Sequence, residues 1–320
     1  MADILYVPLA SEHTPENIPH IASVGGKAAG LYWLAVHGFP VPPTWTLTTD
    51  IFDMAVQQSG AAQSVAKIWQ RMRALDQDWH AVQQALTELE PERRRAVELL
   101  RRVSQFRLVA DALLELPPVS THWAVRSSAT VEDNPEYSFA GQFHSSLSVL
   151  RYAIWDAVRE VWASTFSQHV LAYCVQNATP LPRMAVAMQP MAPITARDRS
   201  GVAFSHSPVE SMPGVLIQAA FGTAQVVVEG YGGDIYTVQD DDTVQIQRVP
   251  LPHINITGGE GRITQAPSPS DLPLTEDEAR TLAQLARDIQ HLWETPVDIE
   301  FIWREGQEPL VVQVRTATGR

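Results

Sequence analysis

Apolar and polar positions change period several times along the chain, and each change marks an element. After Val24-Gly25-Gly26-Lys27, the segment AAGLYWLAVHG places apolar residues at helical spacing, at Leu31, Leu34 and Ala35. Gly38 stands where a glycine ends a helix, with Pro40 just beyond it. VPPTWTLTT reads as extended, because Pro42 and Pro43 bar a helix interior and Thr, Trp and Leu alternate. Residues 50–116 predict a mostly helical block, closed by Pro117-Pro118. The arginine run inside it, in EPERRRAVELLRRVSQF, reads as a solvated helix face rather than a phosphate site. His122 to Arg126 predicts a short strand, RSSATVEDNPEYSFAGQ a long polar segment with turn residues, and HSSLSVL a further extended stretch. Residues 151–176 predict an amphipathic helix with Trp155, Val158, Val161, Trp162, Phe166 and Val170 on its apolar side.

The pattern shifts after Pro180. RMAVAMQ, GVAFSH, GVLIQAA, QVVVEG and DIYTVQ are short, β-prone and separated by Gly and Pro. Residues 255–272 are rich in Gly, Ser and Pro and predict a loop. TEDEARTLAQLARDIQHLWE predicts a helix opened by a capping box, Thr275 with Glu278. PVDIEFIW and PLVVQVRT then flank a short polar linker and read as a hairpin. If Trp303 pairs with Leu310, Glu300 falls opposite Gln313 and Asp298 opposite Arg315. One sheet face then carries two carboxylates, an amide and a guanidinium. That set suits a divalent cation on hard oxygens and a phosphate on a fork of donors. A cross-strand salt-bridge patch on an exposed face accounts for the same residues without a ligand. A helix-rich first part thus precedes a sheet-rich second part, with a boundary near 178–190. The expected class is α+β, with subdomains at 1–180 and 181–320 and a cleft between them.

Composition narrows the partners. A formal net charge of −13 argues against nucleic acid or an anionic membrane as the main partner, and asks any anionic ligand for a local basic pocket or a metal. Cys174 is the single cysteine, which excludes an internal disulfide and a Cys-based zinc site. The N-terminal MADILYVPLASEH has neither a basic start nor a long apolar run, so no signal peptide is expected, and a cytoplasmic protein is the default.

Two further motifs carry chemistry. Gly25-Gly26-Lys27 at a helix start can bring backbone N–H groups and an ammonium to a phosphate, although no GxxxxGK[ST] loop is present and a glycine turn with a solvated lysine has the same sequence. Arg126-Ser127-Ser128-Ala129-Thr130, Glu132-Asp133 and Ser138-Phe139-Ala140-Gly141-Gln142 combine an arginine at a strand end with hydroxyls, small residues and a glycine suited to close approach of a ligand.

In order, VGGKAAGLYWLAVHGFPVPPTWTLTT, AVRSSATVEDNPEYSFAGQ, GVAFSHSP and DIEFIW with VVQVRTAT resemble the nucleotide-binding domain of the phosphoenolpyruvate synthase and pyruvate phosphate dikinase family. Rifampicin phosphotransferases and glucan water dikinases share that domain, and the resemblance covers essentially the whole chain. It implies an ATP-grasp fold, two α+β subdomains gripping ATP and Mg²⁺. By the same resemblance, Lys27 and Arg126 contact ATP phosphates, and Gln189 and Met191 fall at the hinge under the adenine. Glu300, with Asp298 beside it, is the metal-proximal carboxylate, while Gln313 and Arg315 reach the terminal phosphates. Arg126, Glu300 and Arg315 are the catalytic candidates. Gln225 stands where the family commonly has a glutamate, which puts a second metal contact or a ribose contact in doubt, and Thr316 replaces a family proline.

Full-length family members continue into a domain with a phosphorylated histidine. None of the ten histidines here lies in that acceptor context, and His206 reads as structural or solvated. The resulting expectation is an ATP-binding subunit that passes a phosphoryl or pyrophosphoryl group to a histidine on a separate partner chain and releases AMP. An ATP-grasp ligase forming an acyl phosphate and a non-catalytic nucleotide-binding subunit are the alternatives.

Overall fold

Strand alternation up to Met191 yields a five-stranded antiparallel sheet, and beyond it a six-stranded one. The computed structural model describes residues 6–8, 18–75, 78–118, 120–131, 133–134, 137–138, 141–191, 195, 197–222, 232–249 and 271–317. The chain divides into two units, Met1–Ala29 with Pro43–Met191, and Gly30–Pro42 with Ala192–Arg320. Mixed helices and antiparallel sheets make the class α+β. The division falls after Met191, and residues 30–42 join the second unit, where the sequence pattern suggests one boundary near 178–190.

The first unit holds strands β1 (Tyr6–Pro8), β2 (Trp45–Leu47), β3 (His122–Ala129), β6 (Ser146–Leu150) and β7 (Met184–Met191), in the order β1-β2-β7-β3-β6. Between β3 and β6 lies a small hairpin of β4 (Asp133–Asn134) and β5 (Tyr137–Ser138). The expected helical block resolves into α2 (Thr49–Gln58), α3 (Ala62–Met72), α4 (Trp79–Arg101) and α5 (Arg107–Leu114), preceded in the chain by α1 (Ile21–Val36). One sheet face buries Trp123 and Val125 of β3 and Val186 and Met188 of β7 against Ile51 and Phe52 of α2. Arg102–Glu98 at 2.6 Å and Arg101–Glu160 at 2.9 Å pair on an exposed face, which matches a solvated helix face, while Arg93 is half-buried and bonds Glu90 and the Phe166 carbonyl.

Three details of this unit depart from the sequence reading. Strand β3 runs on to Ala129, because Ser127 and Ser128 pair with Val186 and Ala185 of β7, so the polar RSS stretch begins as strand. The segment 151–176 is a short 3₁₀ turn, Arg151–Ala153, then α6 (Ile154–Ser164) and α7 (Gln168–Gln176). The break comes from Ser167, whose extended backbone and hydroxyl, accepting from the Val170 N–H at 3.2 Å, start a new helix. A helical turn also precedes the Gly-Gly-Lys motif; the non-helical Gly25 separates it from the helix that follows, the one expected from the sequence, and α1 spans both.

The second unit holds β8 (Arg199–Phe204), β9 (Val215–Phe221), β10 (Asp234–Val238), β11 (Val244–Gln247), β12 (Val297–Trp303) and β13 (Leu310–Thr316), in the order β11-β10-β9-β8-β12-β13. Helix α8 (Glu276–Trp293) covers one face through Leu282, Ala283, Ala286 and Ile289, packed with Val297, Ile299 and Phe301. Its capping box forms as the sequence predicts. Leu31 and Leu34, from the second half of α1, enter the same core, and Trp33 meets Trp293 edge-on at 4.6 Å. Gly38, at φ 81°, ends α1: the Phe39 N–H donates to the Leu34 carbonyl at 3.0 Å and the Gly38 N–H to the Ala35 carbonyl at 3.1 Å. Strand β11 carries no signal noted in the sequence reading. The QVVVEG segment, Gln225 and most of the expected 255–272 loop lie outside the described residues. Among the described residues, no helix is long and apolar enough to cross a membrane.

Candidate functional site

Alternation sorts the side chains of each sheet. On β3, Trp123, Val125 and Ala129 enter the apolar core of the first unit. Ala124, Arg126 and Ser128 therefore lie on the other face, opposite Gln189, Ala187 and Ala185 of β7. Arg126 is half-buried and flanked on β7 by alanine, so its guanidinium is not crowded by its cross-strand neighbour. Thr46 of β2 pairs with Ala187 in turn, giving a row Thr46–Ala187–Arg126 across three strands. The Thr46 hydroxyl is buried and has no hydrogen-bond partner among the described residues. Sequence reasoning passed over Thr46; its place as the polar member of WTL was the available signal.

Gln189 is buried, and its amide Nε2 donates to the Thr44 hydroxyl oxygen at 3.0 Å. The pairing of β2 with β7 stops at Met188, whereas β3 stays paired with β7 through Met191. Strand β7 thus extends from Gln189 to Met191 without a ladder partner from β2. The Met191 carbonyl accepts from the Ser120 hydroxyl. Lys27 follows the break in α1, and its Nζ donates to Ser127 Oγ at 3.1 Å, beside Arg126 in sequence. Lys27, Arg126, Gln189 and Met191 are all carried by the first unit.

The other four candidates share one face of the second unit's sheet. Glu300 is opposite Gln313 and Asp298 opposite Arg315. That register agrees with the sequence reading, but the pairing near the loop does not: Leu310 meets Ile302, not Trp303. A bulge between Glu300 and Phe301 takes up the difference, since Gln313 and Val311 are successive partners and Val312 is the extra residue. Val311 and Val312 are accordingly both buried, a break in alternation that lets Leu310 and Gln313 keep the other face.

Arg315 Nε donates to both Asp298 oxygens, at 2.8 and 2.7 Å. Burial raises the Asp298 carboxyl to about 6, the Arg315 charge and hydrogen bond oppose that rise, and nearby Glu300 adds to it. Asp298 is 8% exposed and Glu300 half-buried. Across the sheet Glu300 also pairs with Val202, and Val202 with Gln218, so a row Gln218–Val202–Glu300–Gln313 crosses four strands. Gln218, half-buried, is a further polar side chain that sequence reasoning missed; a glutamine in the otherwise apolar VLIQAA was its signal. His206 is exposed just beyond β8.

Among the described residues no three His, Cys, Asp or Glu side chains form a metal cluster. Magnesium commonly takes only one or two protein carboxylates and completes its shell with water and phosphate oxygens. Glu300 with Asp298 fits that pattern by donor type, with Asp298 also engaged by Arg315.

An α+β chain that sets an arginine on one sheet with a lysine on the adjoining helix, and paired carboxylates, amides and a guanidinium on another sheet, has the makings of a nucleotide-binding domain. Residues 21–320 match the pyruvate phosphate dikinase AMP/ATP-binding domain, and the chain belongs to that family. It is 31% identical over 292 residues to a rifampicin phosphotransferase of Streptomyces sviceus, a match covering 88% of this chain and 32% of that protein. Identity to a probable phosphoenolpyruvate synthase of Methanocaldococcus jannaschii is 27% over 298 residues, covering 88% of this chain and 24% of that protein. For the phosphoenolpyruvate synthase of Escherichia coli it is 27% over 350 residues, 98% of this chain and 42% of that protein. The chain therefore spans well under half the length of these relatives.

Proposed function

We propose that this chain binds Mg-ATP and acts as the ATP-binding part of a dikinase-like phosphotransferase, passing a phosphoryl or pyrophosphoryl group to a histidine on a separate chain with release of AMP. The observation that carries the reading is the register of the closing hairpin, which puts Asp298, Glu300, Gln313 and Arg315 on one sheet face. In this reading the fold is of the ATP-grasp type; Lys27 and Arg126 supply positive charge to phosphates, and Arg315 and the Gln313 amide are further donors for them. From Gln189 to Met191, the β7 edge that β2 does not pair offers backbone groups to the adenine. Magnesium, held by Glu300 and Asp298, would neutralise charge on the terminal phosphates. The chain's own residues contribute positioning and electrostatic stabilisation, which is most of what phosphoryl transfer needs. For pyrophosphoryl transfer, a bond forms between the acceptor imidazole nitrogen and the β-phosphorus. The β-phosphorus bond to the oxygen bridging α and β breaks, and AMP leaves with that oxygen; net phosphoryl transfer then needs water to cleave the terminal phosphate from the pyrophosphorylated histidine as inorganic phosphate.

Calorimetry with ATP and Mg²⁺ is expected to show one site per chain. Arg126→Ala should weaken binding about 10- to 100-fold, the range of a lost charge-assisted hydrogen bond. Absence of binding by folded protein at millimolar ATP ends this reading. The transfer step is tested separately, with ATP labelled at the β and γ positions. AMP is expected to form when a chain bearing the acceptor histidine is added and to be nearly absent without it. Partner-independent ADP and phosphate, dependent on a carboxylate and an amine, would support the ligase alternative. Label recovered on His206 would make that residue the acceptor.

A further inference from the structure

We propose that Ser128 is a positioning residue: its hydroxyl holds α1 open at Gly25 and thereby presents the Gly26-Lys27 segment to a phosphate chain. The proposal rests on the nucleotide reading above and adds to it the part that sets the phosphate contact. In an unbroken helix the Ala28 N–H would donate to the Val24 carbonyl, four residues back. Gly25 lies between them at φ 74° and ψ 172°, outside the helical region. The Ser128 hydroxyl occupies the gap. The Ala28 N–H donates to Ser128 Oγ at 3.0 Å, and Ser128 Oγ donates to the Val24 carbonyl at 2.7 Å. One hydroxyl can serve both groups because it is a donor and an acceptor at once. A side chain inserted into the i→i−4 ladder is a known cause of sharp helix kinks.

Glycine and serine are matched at this contact. A Cβ on residue 25 would stand 1.9 Å from the Ser128 carbonyl oxygen and 2.5 Å from its Oγ, and the positive φ is itself unfavourable for other residues. Ser128 is fully buried, so water cannot replace its hydroxyl without rearrangement. The consequence is a second helix start within α1. A helix that restarts at Gly26 has no preceding turn to accept its leading N–H groups within the helix, and its positive dipole end falls at Gly26 and Lys27.

The neighbouring serine completes the arrangement. Ser127 Oγ accepts from Lys27 Nζ at 3.1 Å, and the Ser127 N–H is fixed by the Ser145 hydroxyl at 3.2 Å. Ser127 orients the ammonium and Ser128 the backbone of the restarted helix; both directly follow Arg126 on β3, Ser128 on the same face as Arg126 and Ser127 on the other. One strand thereby sets the relative positions of the guanidinium, the ammonium and the helix start. The ligand class such an arrangement favours is a nucleoside polyphosphate over the bare nucleoside.

The test compares the wild-type chain with Ser128→Ala, Lys27→Ala and the double variant, measuring ATP by calorimetry and adenosine by competition. Ser128→Ala is expected to weaken ATP about tenfold and leave adenosine within about twofold, because the hydroxyl acts on the phosphate end alone. In the Lys27→Ala background the same change should cost less than in wild type, as expected for residues acting through one contact. Should Ser128→Ala fail to fold, Ser128→Cys supplies a near-isosteric side chain with a much weaker donor, and the same split between ATP and adenosine is expected. Equal losses for ATP and adenosine, or no loss for either, overturn the proposal. Wild-type protein that binds no ATP would instead overturn the nucleotide reading itself, so the two failures are distinguishable.

Discussion

Glu300→Gln is expected to lower AMP formation in the presence of the acceptor chain by about two to three orders of magnitude, while nucleotide affinity changes by less than about tenfold. The substitution keeps the shape of the side chain and its place opposite Gln313 and Val202. It removes one negative charge from the pair proposed to hold magnesium. Charge on the transferring group and the leaving oxygen is redistributed in the transition state, so a correctly held cation matters more there than in the ground state. The same substitution takes away the Glu300 contribution to the raised Asp298 carboxyl. Asp298 then ionises at lower pH and stays with Arg315, which conserves ground-state contacts on that side. Equal losses in affinity and turnover would assign Glu300 to binding alone, and an unchanged rate would remove it from the site.

The register of the closing hairpin at Glu300 and Asp298 was legible because it depends on a period of two. Any register that keeps Glu300 opposite Gln313 also brings Asp298 to Arg315, and the apolar residues between them can only go to the core. The bulge at Val312 was not legible, because consecutive valines fit a regular strand as well as a bulged one. Counting back from the loop misplaces Trp303 by one residue, yet the far end of the hairpin is unaffected. The capping box at Thr275 and the helix end at Gly38 were readable for a similar reason: each is set by residues within one turn of chain.

Features that depend on distant chain were not readable. Ser127 and Ser128 look like loop residues until β7 pairs with them, and the role of Ser128 exists only because Val24 and Ala28 approach it from 100 or so residues away. The same holds for residues 30–42, whose place with 192–320 is set by packing of Leu31, Leu34 and Trp33 rather than by any signal in the segment itself. Thr46 and Gln218 were visible as polar positions in apolar strands, but only cross-strand register connects them to Arg126 and Glu300.

Gly201→Ala is expected to be the most damaging small substitution in the second unit, lowering both its stability and the transfer rate. Gly201 lies inside β8, paired with Phe301 of β12 on one side and Ala219 of β9 on the other. A Cβ there would stand 2.0 Å from the Gln218 carbonyl oxygen and 3.0 Å from the Ala219 Cα, both backbone atoms that cannot rotate away. Glycine in a strand interior marks such close approach of a neighbouring backbone. Relief requires β8 and β9 to separate, and β8 is the strand on which β12 rests with Asp298 and Glu300. Overpacking of this kind costs about 1–3 kcal/mol or more, or roughly 4–12 °C in the melting temperature of a unit this size. Because the row Gln218–Val202–Glu300–Gln313 passes through the displaced strand, transfer activity should fall even at temperatures where the variant remains folded. Thermal melts and AMP-formation rates on the same samples check this. A melting temperature within a degree or two of wild type would show that β8 and β9 yield readily at Gly201. Lost stability with full activity would show that the row tolerates movement of β8.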